Sequence, residues 1–316
     1  MLRIGNLKLR SRLILAPMAG ISDLPFRLLC RRFGAELAFV EMINARSISH
    51  KSRRTQAMLS TCPKDKPLGV QLLGSEEQYI RKALSVLKSY KFDILDFNAA
   101  CPAKKVVRRG EGASLLKDPK KLNKLLRLIV KSSKAPVTVK IRTGWDKDSV
   151  NAREVALYAQ DAGISGIFVH GRTKVQGYGG NVDYRAIKEV KKALKIPVIA
   201  SGDIFSAALI KKMFEETGAD GVAVARGALG NPWIFENRTP GLPEVVRIMT
   251  EHLQDCVDFY GEKRGVIIWR KFFGWYTKGF RKVRPLREKS SRAKTLKEML
   301  DIIRLTDSGR CAKIKA

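Results

Sequence analysis

The chain has 316 residues, 45% of them hydrophobic, which is enough for one large core and a smaller unit. No apolar run approaches the ~18 residues of a membrane span, so no span is expected. Sixty-one Lys and Arg against thirty Asp and Glu leave a net charge of +31. That excess points to a polyanionic partner, with nucleic acid first.

The five cysteines, at 30, 62, 101, 256 and 311, form no CxxC pair. This pattern argues against a disulfide framework or a zinc site and fits a reducing cytoplasm. The first residues, 1–8, show no secretory apolar segment.

In chain order, short apolar runs at 13–16, 37–41, 69–73, 94–98, 137–141, 166–170, 198–201 and 221–225 read as strands, with helical patterns between them. They are apolar throughout, as strands buried on both faces are. Pro136, Gly163, Pro197 and Gly218 stand as helix stops just ahead of strands. Eight such βα units predict a (β/α)8 TIM barrel over residues 1–238. A doubly wound open sheet is the runner-up, but no GxGxxG follows the first strand. Residues 237–243 read as a linker, and 244–260, 264–280 and 290–305 have apolar residues at helical spacing. A C-terminal all-helical domain, 239–316, is therefore expected.

In such a barrel the active site forms at the C-terminal ends of the strands. Those ends carry Pro17, Met18 and Ala19, then Glu41, Gln71, Asn98 and Cys101. Lys140, Arg142 and His170 follow, with Ser201, Gly202 and Asp203, and finally Ala225 and Arg226. Pro102 ends the strand before it and holds Cys101 on a stiff loop. A thiol of ordinary acidity, with a pKa of about 8.5, is protonated at neutral pH and can act as an acid.

Lys140 stands out, because an unpaired ammonium inside an apolar strand is costly. It must meet an anion or an electron-rich ring. His170 by itself reads equally as a satisfied core histidine, and His50 and His252 lie away from strand ends. Gly202, Gly227 and Arg226, with helix starts behind them, suit a phosphate.

Residues 263–297 hold thirteen Lys and Arg and one acid, a net +12, interleaved with Trp269, Phe272, Phe273, Trp275, Tyr276 and Phe280. The aromatics read as core and the charges as a face for phosphates, with affinity that weakens in salt. Lys104, Lys105, Arg108 and Arg109 extend that field beside Cys101.

Together these segments resemble the tRNA-dihydrouridine synthases. The motifs that carry the resemblance are Ala16-Pro17-Met18-Ala19-Gly20, Cys101-Pro102-Ala103-Lys104-Lys105-Val106, Val139-Lys140-Ile141-Arg142-Thr143-Gly144-Trp145, His170-Gly171-Arg172-Thr173 and Asn231-Pro232-Trp233-Ile234-Phe235. The bacterial B-type branch is the most similar. The resemblance covers residues 3–236 and continues more weakly through Arg270-Lys271 and Gly274-Trp275-Tyr276.

It implies FMN-dependent reduction of uridines in the D-loop of tRNA to 5,6-dihydrouridine, with NADPH (or NADH) as reductant. It further implies that Pro17, Met18 and Ala19 line the flavin, and that Gln71 and Lys140 bind its polar edge with His170 close by. Ser201, Gly202, Asp203, Ala225 and Arg226 are the implied phosphate residues. Cys101 is the implied general acid, protonating C5 as hydride adds to C6. Asn98 and Arg142 would orient the base, and Lys104 and Lys105 would touch the tRNA. No metal, membrane or obligate protein partner is implied.

The chain departs from the family pattern at Ala100, Ser201, Ala225 and Phe272, where Gly, Asn, Gly and His are usual. A barrel like dihydroorotate dehydrogenase would share the phosphate site but leave the +31 charge unexplained. An RNA-binding protein with lapsed chemistry would have no reason to keep Cys101, Lys140 and Gln71.

Overall fold

A computed structural model describes residues 1–307; residues 308–316, Cys311 among them, lie outside the described residues. The chain opens with β1 (Leu2–Ile4) and β2 (Leu7–Leu9), an antiparallel hairpin. The sequence reading misses it, because a three-residue strand is too short to show a period. Then come β3 (Leu13–Leu15), α1 (Leu24–Arg32), β4 (Leu37–Phe39), β5 (Ile43–Asn44), α2 (Ala45–Ser49) and α3 (Arg53–Ala57). The regular alternation continues with β6 (Leu68–Leu73), α4 (Glu77–Leu87), β7 (Ile94–Ala99), α5 (Lys104–Val107), α6 (Pro119–Ser132) and β8 (Val137–Arg142). It ends with α7 (Ala152–Asp161), β9 (Gly166–His170), α8 (Tyr184–Ala193), β10 (Val198–Ser201), α9 (Ala207–Thr217) and β11 (Gly221–Val224).

Strands β3, β4 and β6 to β11 pair in parallel. The row closes because β3 pairs with β11 and β4 while β4 also pairs with β6. This is the expected eight-stranded (β/α)8 barrel. The second strand differs from expectation: its ladder stops at Phe39 and resumes only at β5. Glu41 and Met42 stand in the gap, where both side chains are drawn to neighbours at the barrel mouth. Glu41 accepts from the Gly20 amide and Met42 Sδ from Asn98.

Helix starts follow local chemistry. Asp23 accepts from the Phe26 amide (3.0 Å) with Pro25 in the first turn of α1, and Arg31 and Arg32 complement its last turn. Asp118 and Pro119 repeat the device at α6, where the Lys121 amide donates over 2.9 Å.

Two apolar cores result. Inside the barrel Ile14, Leu37, Phe39, Ile94, Phe168, Ile199 and Ala223 pack with Leu2, Ile4 and Leu9 of the hairpin. Phe39 and Phe168 meet edge to face with ring centres 5.6 Å apart. The hairpin thus plugs the N-terminal end. The second core lies between the barrel wall and its helices. It runs unbroken into α10 (Leu242–Tyr260), α11 (Glu262–Tyr276), α12 (Arg284–Arg292) and α13 (Leu296–Asp307). As the aromatic spacing predicts, Trp269, Phe272, Phe273, Tyr276 and Phe280 are buried there, and Trp275 is half-buried.

Candidate active site

Toward the C-terminal end of the barrel the inward positions turn polar. On β7 they run Ile94, Asp96, Asn98 and on β8 Thr138, Lys140, Arg142. The register sets Gln71 of β6 opposite Asp96, and Asn98 opposite Lys140. Asp96 is 1% exposed and accepts from Gln71 Nε2 and Thr138 Oγ1, each over 2.7 Å. Burial pushes its carboxyl up to about 6 against those two hydrogen bonds. Burial likewise lowers Lys140 to about 8, with the Asp96 charge opposing it. Among the described residues Lys140 donates no hydrogen bond and forms no ion pair. The anion demanded by this lysine is therefore Asp96, acting through its field and leaving the ammonium's donors open.

Asn98 links this layer to the thiol. Its Nδ2 donates to Gln71 Oε1 (2.8 Å), and its Oδ1 accepts from the amides of Ala100 (3.0 Å) and Cys101 (2.9 Å). The Cys101 carbonyl accepts from the Ala113 amide (3.1 Å) and the Ala100 carbonyl from Arg142 Nε (2.8 Å). Cys101 itself is half-buried, and Lys104 and Lys105 are exposed on α5 beside it. Asn98 and Arg142, expected to orient a base, also hold the loop that carries Cys101. Both ends of the Asn98 amide are engaged, and Arg142, 2% exposed, also donates to the carbonyls of Thr173 (2.9 Å) and Gly177 (2.8 Å).

His170 ends β9 with Nε2 buried and without a partner. Burial, then the charges of Arg142, Lys140, Arg172 and Arg226, lower it to about 2, so the ring is neutral at neutral pH. It is not a satisfied core histidine.

After β10, Ser201 is buried and its Oγ donates to the Val169 carbonyl (3.4 Å). Gly202 has φ 131, and a Cβ there would stand 2.9 Å from Val182 and 3.3 Å from His170. Only bare backbone fits. Asp203 accepts from Arg172 Nη1 and Arg226 Nη2, each over 2.9 Å, and the Arg172 hydrogen bonds above all hold its carboxyl below the usual range. The Asp203 carboxylate thus holds the Arg226 guanidinium in place beside the loop. Gly227 is explained differently from expectation: a Cβ there would lie 1.7 Å from the Ile204 carbonyl oxygen. The close approach of two loops by itself demands glycine. Ala225, at φ −116, needs none.

Pro17 and Met18 are half-buried and Ala19 exposed in the turn after β3. The C-terminal helices hold that turn: Lys271 donates to the Gly20 carbonyl and the Tyr260 hydroxyl to Asp23 (2.9 Å). Sequence reasoning missed Asp96, Arg172 and Tyr178. Asp96 could have been found by the argument used for Lys140, since an acid in an apolar strand is equally anomalous. Tyr178, 60% exposed, lies with its ring 4.6 Å from the Arg226 guanidinium and 6.4 Å from the His170 ring. Nothing periodic marks its loop.

The tail also needs correction, because not all of its cations face outward. The half-buried Arg270 and Lys271 donate to the carbonyls of Ala293 (2.8 Å) and Gly20, and Arg287, though exposed, donates to that of Thr277 (2.6 Å). Lys278, Arg281, Lys282, Lys289, Arg292 and Lys294 are exposed. Phe272 is fully buried against His252 and Phe26, with ring centres 4.5 and 5.4 Å away, so that departure alters packing. Among the described residues no helix is long and apolar enough to cross a membrane, and no group of His, Cys, Asp and Glu could hold a metal ion.

A barrel whose mouth gathers a thiol, a lysine with its hydrogen-bond donors open and a neutral histidine is built as an enzyme of the (β/α)8 class. The sequence profile of the dihydrouridine synthase (Dus) family matches residues 14–310, and the chain belongs to that family. A protein of Rickettsia bellii named probable tRNA-dihydrouridine synthase is 44% identical over 291 residues, covering 88% of this chain and 89% of that one. The tRNA-dihydrouridine synthase B of Pseudomonas aeruginosa is 42% identical over 285 residues, covering 87% and 86%. Among solved structures, the 6-hydroxypseudooxynicotine amine oxidase of Pseudomonas geniculata is 14% identical with a TM-score of 0.59, covering 86% of this chain and 52% of that one. That likeness shows a shared fold over about half of the larger protein.

Proposed function

We propose that this chain reduces uridine in the D-loop of tRNA to 5,6-dihydrouridine, with FMN bound at the barrel mouth, NADPH as reductant and Cys101 as proton donor. The observation that carries the reading is convergence in a member of the Dus family. Cys101 after β7, Lys140 on β8, His170 on β9 and the Gly202 loop after β10 share one mouth. These residues suit a flavin. The Lys140 ammonium and His170 Nε2 have no hydrogen-bond partner among the described residues. Lys140 and Gln71 would hold the polar edge of the ring, Pro17, Met18 and Ala19 would line it, and Arg226 with the backbone of 201–203 and 225–227 would hold the phosphate.

Reduced FMN supplies the hydride for C6 of the uracil. Cys101 keeps its proton on Sγ and delivers it to C5 from the opposite side; the thiolate left behind takes a proton from solvent. Two hydrogens thus add across the C5–C6 double bond, and NADPH ends as its oxidised form. The uracil must leave its stack to reach the mouth. Lys104, Lys105 and the exposed cations of the tail would meet tRNA phosphates, and a tRNA substrate is in keeping with work in the cytoplasm.

The purified protein should absorb near about 450 nm and lose that band when NADPH is added. Transfer RNA from cells lacking the gene should lose dihydrouridine at a D-loop position. A colourless protein would remove the flavin from the reading, and unchanged dihydrouridine would remove the substrate.

A further inference from the structure

The amides beneath the mouth form one directed chain of hydrogen bonds, and we propose that Asp96 is a positioning residue that aims Cys101 through Gln71 and Asn98. The inference rests on the reading of Cys101 as the proton donor. Asp96 lies below that layer and acts only through other side chains.

The direction of the chain follows from donor and acceptor chemistry. An ionised carboxylate only accepts, so Gln71 turns Nε2 toward Asp96 (2.7 Å) and leaves Oε1 facing Asn98. That oxygen also only accepts, so Asn98 turns Nδ2 to it (2.8 Å). Asn98 then presents Oδ1 to the amides of Ala100 (3.0 Å) and Cys101 (2.9 Å). Turning Asn98 over would set donor against donor at the thiol loop, and turning Gln71 over would set acceptor against acceptor at Asp96 and donor against donor at Asn98.

Thr138 Oγ1 fixes the second oxygen of Asp96 (2.7 Å). Gln71, Asp96 and Thr138 are at most 1% exposed and Asn98 6%, so water does not substitute for a missing link. The far end is anchored independently by Ala113 N on the Cys101 carbonyl (3.1 Å) and Arg142 Nε on the Ala100 carbonyl (2.8 Å). Loss of the Asn98 contact therefore pivots the thiol between fixed points and changes its aim.

The test uses flavin-loaded full-length protein and tRNA lacking dihydrouridine, with flavin reduction by NADPH and uridine reduction followed separately. Asp96→Ala should slow uridine reduction by about 10- to 100-fold, the range that a small misplacement of a catalytic group produces. Flavin reduction, which needs no proton from Cys101, should suffer far less. The double variant Asp96→Ala/Asn98→Ala should be no slower than Asn98→Ala alone, because both break one relay. Asp96→Asn keeps an acceptor oxygen for Gln71 and can donate to Thr138 Oγ1, so it should recover most of the rate.

Alkylation of Cys101 by iodoacetamide in tRNA-free protein, read by peptide mass, supplies a measure independent of turnover. Asp96→Ala and Asn98→Ala should shift its rate by the same factor, and Asp96→Asn should restore it. If Asp96→Asn is as slow as Asp96→Ala, the carboxylate acts by its charge on Lys140 and the relay is wrong. Multiplicative losses in the double variant would also overturn it. Should Asp96→Ala not fold, Gln71→Leu breaks the next link; because Gln71 is also a proposed flavin contact, that variant is read only by alkylation, where it should shift the Cys101 rate by the same factor as Asn98→Ala. A wild-type protein that forms no dihydrouridine would defeat the functional reading alone, while the alkylation comparison would still decide the relay.

Discussion

The two ends of the barrel are made by the same eight strands and share almost no inward side-chain chemistry. At the N-terminal end Ile14, Ile94 and Ile199 close on Leu2, Ile4 and Leu9 of the hairpin in a dry plug. Two to four residues further along, Asp96, Asn98, Lys140, Arg142 and His170 take the same inward register. The wall-facing positions stay apolar throughout. Fold and function are thus divided by position along one register. A polar group at the plug would meet only hydrocarbon, whereas at the mouth it meets another polar group, a ligand or solvent.

The sharpest way to break this comparison is to take one group from each end. Cys101→Ala should reduce dihydrouridine formation by about 100- to 10,000-fold, the usual share of a general acid, with no change in melting temperature. Turnover at the wild-type rate would move the thiol out of the mechanism. Phe168→Ala, in the plug, should instead lower unfolding free energy by about 3–5 kcal/mol in urea titrations. A cost below ~1 kcal/mol would show that this end is loosely packed.

Acid sharpens the comparison differently. His170 is held neutral by burial in the fold and charges once unfolded, so the stability it contributes is complete above about pH 6.5 and drains as pH falls from there toward 2. His252, lowered to about 3 by burial in the aromatic core, adds the same slope. Replacing both, as His170→Asn with His252→Phe, should flatten the loss of stability between about pH 6 and 4, where each histidine contributes at most about 1.4 kcal/mol per pH unit. An unaltered slope would mean that neither imidazole is kept neutral. The smallest expected effect lies on the tail: Lys289→Gln, Arg292→Gln and Lys294→Gln together should weaken tRNA binding and reduce its salt slope by up to about 3. An affinity unchanged at every salt concentration would show those cations to be merely solvated.

Much of this was legible in the chain because parallel strands buried on both faces leave continuous apolar runs and polar strand ends stand out against them. The break after Phe39 was not legible, since the residues that interrupt the ladder, Glu41 and Met42, are drawn aside by partners elsewhere in the chain. Arg142 was legible as a cation at the mouth, but not the carbonyls of Ala100, Thr173 and Gly177 that it ties together. Gly227 was legible as a position needing close backbone approach, but not the Ile204 carbonyl that requires it. In each case residue type was informative about chemistry and silent about partner.

The sequence by itself determined the eight βα units, the helical tail with aromatics inside, and several of the polar residues at the strand ends, though not Asp96, Arg172 or Tyr178. These follow from periodicity and from what each side chain tolerates when buried. Only the tertiary structure decided which of them meet: Gln71 with Asp96 across 25 residues, and Lys271 with Gly20 across 251. A hydrogen bond is a distance and a direction in space, and separation along the chain contains neither.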